Sequence, residues 1–159
     1  MRLQGDIRVQ IEEKYNDIYK DLTQDNGIRK PVFDSYGRVF VLCSCLGFEY
    51  NKKIPLDKSK KLFWTDSLNN YNHAITILFS IAMLNKGEVN YKILSNDEKI
   101  IKITEKYANG GMKVLIDEVL EPYIKEDDEK FYLDYSNSSF LEKEVLSFIR
   151  YEMKSSPFD

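Results

Sequence analysis

The sequence predicts an all-α fold: one compact domain over 1–159, built from five or six helices, with any strand short and peripheral. Three observations lead there. Apolar residues recur at steps of three and four in segment after segment, the period that gathers them on one side of a helix. Two start signals, Ser95-Asn-Asp-Glu98 and Ser139-Phe-Leu-Glu142, pair a serine with a glutamate three residues on, so that each side chain can satisfy a free N–H of the first turn. The densest apolar run, Val32 to Lys53, spreads its bulk over so wide an arc that it reads as a helix buried on most sides.

The chain opens with an amphipathic stripe. Over 6–24, Ile7, Ile11, Tyr15, Ile18 and Leu22 fall at steps of 4, 4, 3 and 4, with Glu12, Glu13, Asp17 and Lys20 facing away. Residues 7–11 also alternate, so a short strand is the alternative there. Asp25-Asn-Gly27 is expected to end this helix, because asparagine and glycine accept a left-handed C-cap, and Pro31 keeps it from resuming. Asp34 or Ser35 can cap the central helix, along which Tyr36, Phe40, Cys43 and Gly47 form one line and Val39, Leu42 and Leu46 the next. Gly47 is expected to end it, with Phe48 folding back. Residues 52–61 read as a loop, with Ile54 and Leu56 pinned inward.

Thr65 or Asp66 can cap a helix over Leu68–Leu84 that buries Tyr71, Ile75, Leu78, Phe79 and Ala82, and Asn85-Lys-Gly87 closes it. Residues 89–94 are a linker or one extended strand. Ser95 opens the next helix, with Ile100, Ile101, Thr104, Tyr107 and Ala108 inward. Gly110 and Gly111 adjoin within it. Two helical glycines cost ~1 kcal/mol each against alanine, so a break or a close backbone approach is expected there. Met112, Leu115, Ile116 and Val119 continue the stripe as far as Pro122. Glu126–Glu129 reads as a solvated acidic turn and 132–135 as irregular. A last helix follows with Phe140, Leu141, Val145, Phe148, Ile149 and Met153 inward, and 155–159 form a loose tail.

Hydrophobic residues make up 43% and charged residues 31%, a globular balance and not a disordered one. Eleven tyrosines suit half-buried positions, where the ring packs and the hydroxyl stays wet. Residues 1–61 hold 12 basic against 9 acidic side chains, and 62–159 hold 11 against 17. Nucleic acid would favour the first part and be resisted by the second. The N-terminus MRLQGDIRVQ is polar, so no secretory signal is expected. No apolar run nears the ~18 residues of a membrane span, and the expected location is cytoplasmic. Cys43 and Cys45 lie two apart, on different helical faces, so buried reduced thiols are expected and not a disulfide.

Lys52, Lys53, Lys58, Lys60 and Lys61 are candidate DNA contacts, the alternative being a solvated loop. Without arginine among them, phosphate contact is the most they offer. His73, the only histidine, stands among Asn69, Asn70, Tyr71 and Asn72, without the acid and nucleophile of a triad. One histidine and two thiols so placed do not make a zinc site. The acidic turn lacks the ligand ladder and central glycine of an EF-hand. No glycine-rich phosphate loop occurs. The expectation is no enzyme, no metal and no cofactor.

Two segments resemble a known family. Arg38-Val-Phe-Val-Leu-Cys-Ser-Cys-Leu-Gly-Phe48, followed by a basic turn and Ile54-Pro-Leu56, is similar to a segment of the form VFVLAACLGFKNGKRxPL. Glu105-Lys-Tyr-Ala-Asn-Gly-Gly-Met112 is similar to EEYANGGL. The family is that of small proteins associated with bacterial DNA phosphorothioation (dnd) systems. Related small middle components occur in other phage-defence operons, including Lamassu-type ones with SMC-like ATPases. The resemblance covers 13–24, 33–56 and 98–120, with cysteine here where the family has alanine. It implies a non-catalytic accessory or scaffold subunit of a multi-protein anti-phage complex, with an ATPase, a nuclease or both as partners and DNA reached through the complex. Tyr107, Asn109, Gly110 and Gly111 are then candidate partner-binding residues. The runner-up is a small DNA-binding module or regulator using the five lysines.

Overall fold

Three glycines decide how the two central helices meet. Helix α2 (Tyr36–Glu49) crosses helix α4 (Asp97–Leu115), and their backbones touch. A Cβ on Gly47 would stand 1.9 Å from the Tyr107 carbonyl oxygen, and one on Gly111 would stand 1.6 Å from that of Cys43. Gly110 makes the same close approach to Lys52, 1.9 Å from its carbonyl oxygen. A carbon atom cannot occupy any of these places, so only glycine permits the contact. The glycine pair therefore serves a close approach and leaves α4 unbroken. Gly47 likewise lies inside α2, which runs on to Glu49; the chain leaves the helix at Asn51, which has a left-handed φ of 52°.

The computed structural model describes residues 2–24, 31–85, 87, 89–134 and 138–154, apart from the side chains of 138, 139 and 154. The turn expected at 25–27 and the tail 155–159 lie outside these residues. The fold is mostly helical but not all-α. Strand β1 (Arg8–Glu12) pairs antiparallel with β2 (Ser59–Trp64), and β3 (Ile124–Asp127) with β4 (Lys130–Leu133), in two separate two-stranded sheets. The alternation at the start of the chain thus forms a strand, with the helical stripe beginning only at α1 (Asn16–Thr23). The second half of the supposed lysine loop is β2, set with Val9 opposite Phe63 and Gln10 opposite Lys61 across a bulge. Its lysines hide the alternation that would mark a strand. The acidic turn is the tip of the β3–β4 hairpin, where Asp128 and Glu129 take positive φ in place of the usual asparagine and glycine.

Other boundaries shift for local reasons. Ser35 caps α2 as expected, accepting from the Arg38 N–H. The helix expected from Leu68 is split: a 3-10 segment covers Thr65–Asn70, and helix α3 (Ala74–Met83) starts after His73 at φ 70°. Residues 91–95 form a 3-10 turn and not a strand, and the cap of α4 is Asn96, which accepts from the Lys99 N–H at 2.9 Å. After Leu115 the helix widens into a π-helical turn, Ile116–Leu120, before a 3-10 turn at Glu121–Tyr123 that contains Pro122. Helix α5 (Ser138–Lys154) buries Leu141 and Val145 and half-buries Phe148 and Ile149, but Phe140 and Met153 face solvent.

One connected core runs through these elements. Tyr19, Phe40, Leu68, Leu78, Met112 and Leu141 are among its fully buried members. Cys43 is buried against Tyr19, and burial pushes its thiol well above the ordinary range; Cys45 is shifted the same way. Both are free thiols held away from the reactive thiolate. No helix among the described residues is long and apolar enough to cross a membrane.

Gly111→Ala is expected to destabilise the fold by ~3 kcal/mol or more, because backbone cannot yield as a side chain does. Gly87→Ala, at φ 74° with open space around it, should cost only about 1 kcal/mol. Urea unfolding of the two variants measures the contrast.

Candidate functional site

The two segments that carry the resemblance are the two sides of the central crossing. Tyr107, on α4, packs edge-on against Phe48 with ring centroids 5.6 Å apart, and its hydroxyl reaches Asn85. The Asn109 amide donates to the carbonyls of Ile54 and Pro55 at 3.2 and 3.3 Å. The Ile54 N–H donates to the Lys106 carbonyl at 3.0 Å. Tyr107, Gly110 and Gly111 are buried and Asn109 is half-buried. These four residues hold α4 to α2 and to the 52–55 segment.

The five lysines take three sets of neighbours. The Lys52 main chain donates to the Gly47 carbonyl, and the Lys53 ammonium donates to Asn85 Oδ1 at 2.6 Å. Lys58 faces Glu129 at 3.8 Å across a cleft of about 520 Å³ whose lining holds six carboxylates and three lysines. Lys60 and Lys61 are exposed on β2. Near them Trp64 is also exposed, with the Arg8 guanidinium 4.7 Å from its ring centre. His73 is exposed at the start of α3.

Buried polar side chains form a second class. Among the described residues these are Glu12, Ser44, Thr65, Thr104 and Glu105. Each bonds to main chain. Glu12 accepts from the N–H groups of Asp57 and Lys58 at 2.8 and 2.9 Å, which ties the lysine segment to β1. The Ser44 hydroxyl donates to the Phe40 carbonyl at 2.8 Å, and that of Thr65 to the Gln4 carbonyl. The Thr104 hydroxyl donates to the Ile101 carbonyl at 2.9 Å. Glu105 accepts from the Gln10 N–H at 2.8 Å and so docks β1 on α4. Burial pushes the Glu105 carboxyl up to about 7, against the opposing pull of that hydrogen bond and of Lys102. Nothing in its spacing marks Glu105 as buried, since it lies beside Thr104 on an otherwise ordinary amphipathic stripe.

The sequence pattern also did not reveal the outer surface of α5. Phe140, Leu146, Tyr151 and Met153 are 60, 52, 68 and 72% exposed, a large apolar share for one helix. Beside them a cleft of about 540 Å³ opens between α5 and the π-helical turn.

A family model described as DNA sulphur modification system-associated protein 4 matches residues 8–146. The chain belongs to that family. No curated protein and no solved structure matches it. The match runs from the first residue of β1 into the middle of α5, so the sulphur-modification-associated family spans both sheets, the glycine crossing and Glu105.

The folded-state carboxyl of Glu105 lies above its unfolded value of 4.5. The protonated form therefore favours folding: its contribution is complete below about 4.5 and is lost as pH rises through about 7. Glu105→Gln keeps the acceptor for Gln10 without the charge. It should gain about 3 kcal/mol over the parent at pH 8 relative to pH 4, read by denaturant unfolding at the two pH values.

Proposed function

We propose that this member of the sulphur-modification-associated family is a non-catalytic accessory subunit of a bacterial anti-phage complex, holding or regulating an ATPase or nuclease partner. The observation that carries this reading is the use of the buried polar groups. All five buried polar side chains among the described residues bond to the chain's own backbone, so each serves the fold. Reactive groups in enzymes are instead aimed into a cleft, with partners that tune them for a substrate. The apolar residues that remain in solvent lie mostly outside the glycine crossing, with four of them on α5. By helical position Phe140 and Tyr151 fall on one flank of the buried stripe and Leu146 and Met153 on the other, so two flanks of α5 offer apolar side chains to a protein partner.

A second reading has one specific observation in its favour. Lys60 and Lys61 are exposed on the strand that ends in Trp64, beside Arg8, which gives phosphate contacts next to an aromatic ring. The acidic lining around Lys58 works against extending that contact along the chain.

Tagged protein expressed with the products of its neighbouring genes should co-elute with at least one of them. A chain that always elutes as a lone monomer overturns the accessory reading. Changing Lys52, Lys53, Lys58, Lys60 and Lys61 together to glutamine should leave that co-elution intact. If the DNA reading holds instead, the parent chain binds duplex DNA with an affinity that falls steeply with salt, and the five-lysine variant loses it.

A further inference from the structure

We propose that the cleft between the π-helical turn and α5 is the docking groove for a basic amphipathic helix of a protein partner. This rests on the accessory-subunit reading and names the chemistry of what that subunit holds. Its lining mixes apolar and charged residues: Val119, Pro122 and Phe148 contribute the apolar part, with Phe140 open at 60% exposure. The rim is acidic. Asp117, Glu118, Glu121 and Glu144 face one lysine, Lys143. Asp117 is partly neutralised by Lys113 at 3.4 Å, and Glu144 accepts from the Tyr123 hydroxyl at 2.9 Å. Glu118 and Glu121 have no ion pair among the described residues. Apolar side chains set among carboxylates, two of them without an ion pair, complement a segment carrying leucine-like side chains flanked by lysine or arginine, and repel nucleic acid.

The walls decide the conformation of the occupant. Both are helical, with their N–H and C=O groups largely committed to their own turns, so neither offers an edge for an added strand. A segment entering the groove has to satisfy its own backbone, as a helix does. The π-helical turn is itself a rare geometry, found mostly where a helix has a task beyond packing. Here it comes just before Pro122 and carries Asp117 and Glu118 to the rim. Two more apolar grooves lack such a signature: one of about 590 Å³ beside Val89 and Tyr91, whose charged residues are Lys92 and Lys99, and one of about 570 Å³ between α2 and α3. The one charged residue of the latter, Arg38, pairs with Asp34 at 2.8 Å and lies over the Tyr71 ring.

The test uses the full chain and two synthetic 18-residue amphipathic helices, one of leucine and lysine and one of leucine and glutamate, with binding followed by fluorescence anisotropy. The leucine–lysine peptide should bind at least ten-fold tighter. Glu118→Gln with Glu121→Gln, and separately Phe140→Ser, should each weaken it at least ten-fold. Glu13→Gln with Glu126→Gln, the same charge change in the cleft beside Lys58, should leave it unchanged. Equal binding of the two peptides, or an equal loss in the control pair, overturns the proposal. So does sedimentation showing a dimer that Phe140→Ser dissolves, which would make the occupant a second copy. Co-elution with the neighbouring gene products separates the two readings. If the parent and the Phe140→Ser chain are retained equally, the groove is wrong and the accessory role stands. If neither is retained, both fall.

Discussion

The contact of backbone on backbone between α2 and α4 governs the rest of the molecule. Side chains normally keep helices 8–10 Å apart. Gly47, Gly110 and Gly111 remove them at the crossing, and carbonyl oxygens of each partner segment fill the space. The close approach then fixes its surroundings. It brings Thr104 within reach of Ser44, whose hydroxyl lies 3.4 Å from the Thr104 carbonyl. It also lets Asn109 and the Lys106 carbonyl take hold of 54–55, so that the chain leaving α2 is directed toward β2. Two segments about sixty residues apart in sequence are therefore one structural unit.

The same unit anchors the small β1–β2 sheet. Glu105, one turn before Gly110, holds β1 by the Gln10 N–H, and Glu12 on that strand holds the amides of Asp57 and Lys58. Two buried carboxylates thus fasten irregular backbone that would otherwise leave amides unpaired away from water. Burial under β1 is the main cause of the raised Glu105 carboxyl.

The lysines and the exposed apolar residues of α5 illustrate how charge and exposure divide the surface. Lys53 and Lys58 are drawn to Asn85 and Glu129, while Lys60 and Lys61 stay in solvent on β2. The acid-rich second half of the chain gathers its carboxylates at the hairpin tip and around the π-helical turn. Those carboxylates set negative charge beside Phe140 and Phe148 of α5.

Helical periodicity was legible from the sequence because a 3.6-residue repeat is a local property. The stripes of α2 and α4, the Ser35 cap, the stop near Pro122 and the buried Cys43 thiol all follow from neighbours within a few residues, while Cys45 is only half-buried. The meaning of Gly110–Gly111 was legible only as a choice between a break and a close approach, and the partner backbone resolved it. Strand β2 and the β3–β4 hairpin were hidden because their residues are charged, and a strand is defined by the chain it pairs with. The start of α3 moved because Tyr71 is extended and His73 takes a left-handed φ of 70°, which interrupts the helix between Asn70 and Ala74. Glu105 carried no signal of burial in its spacing and is buried where β1 docks on α4. Phe140 and Met153 looked inward by their chemistry and are exposed because α5 meets the core along a narrow line. The sequence alone determined the mostly helical character of the chain and the apolar stripes of α2, α4 and the body of α3, since those depend on local spacing. Only the tertiary structure decided which faces meet, because burial is set by the distance between segments far apart in the chain.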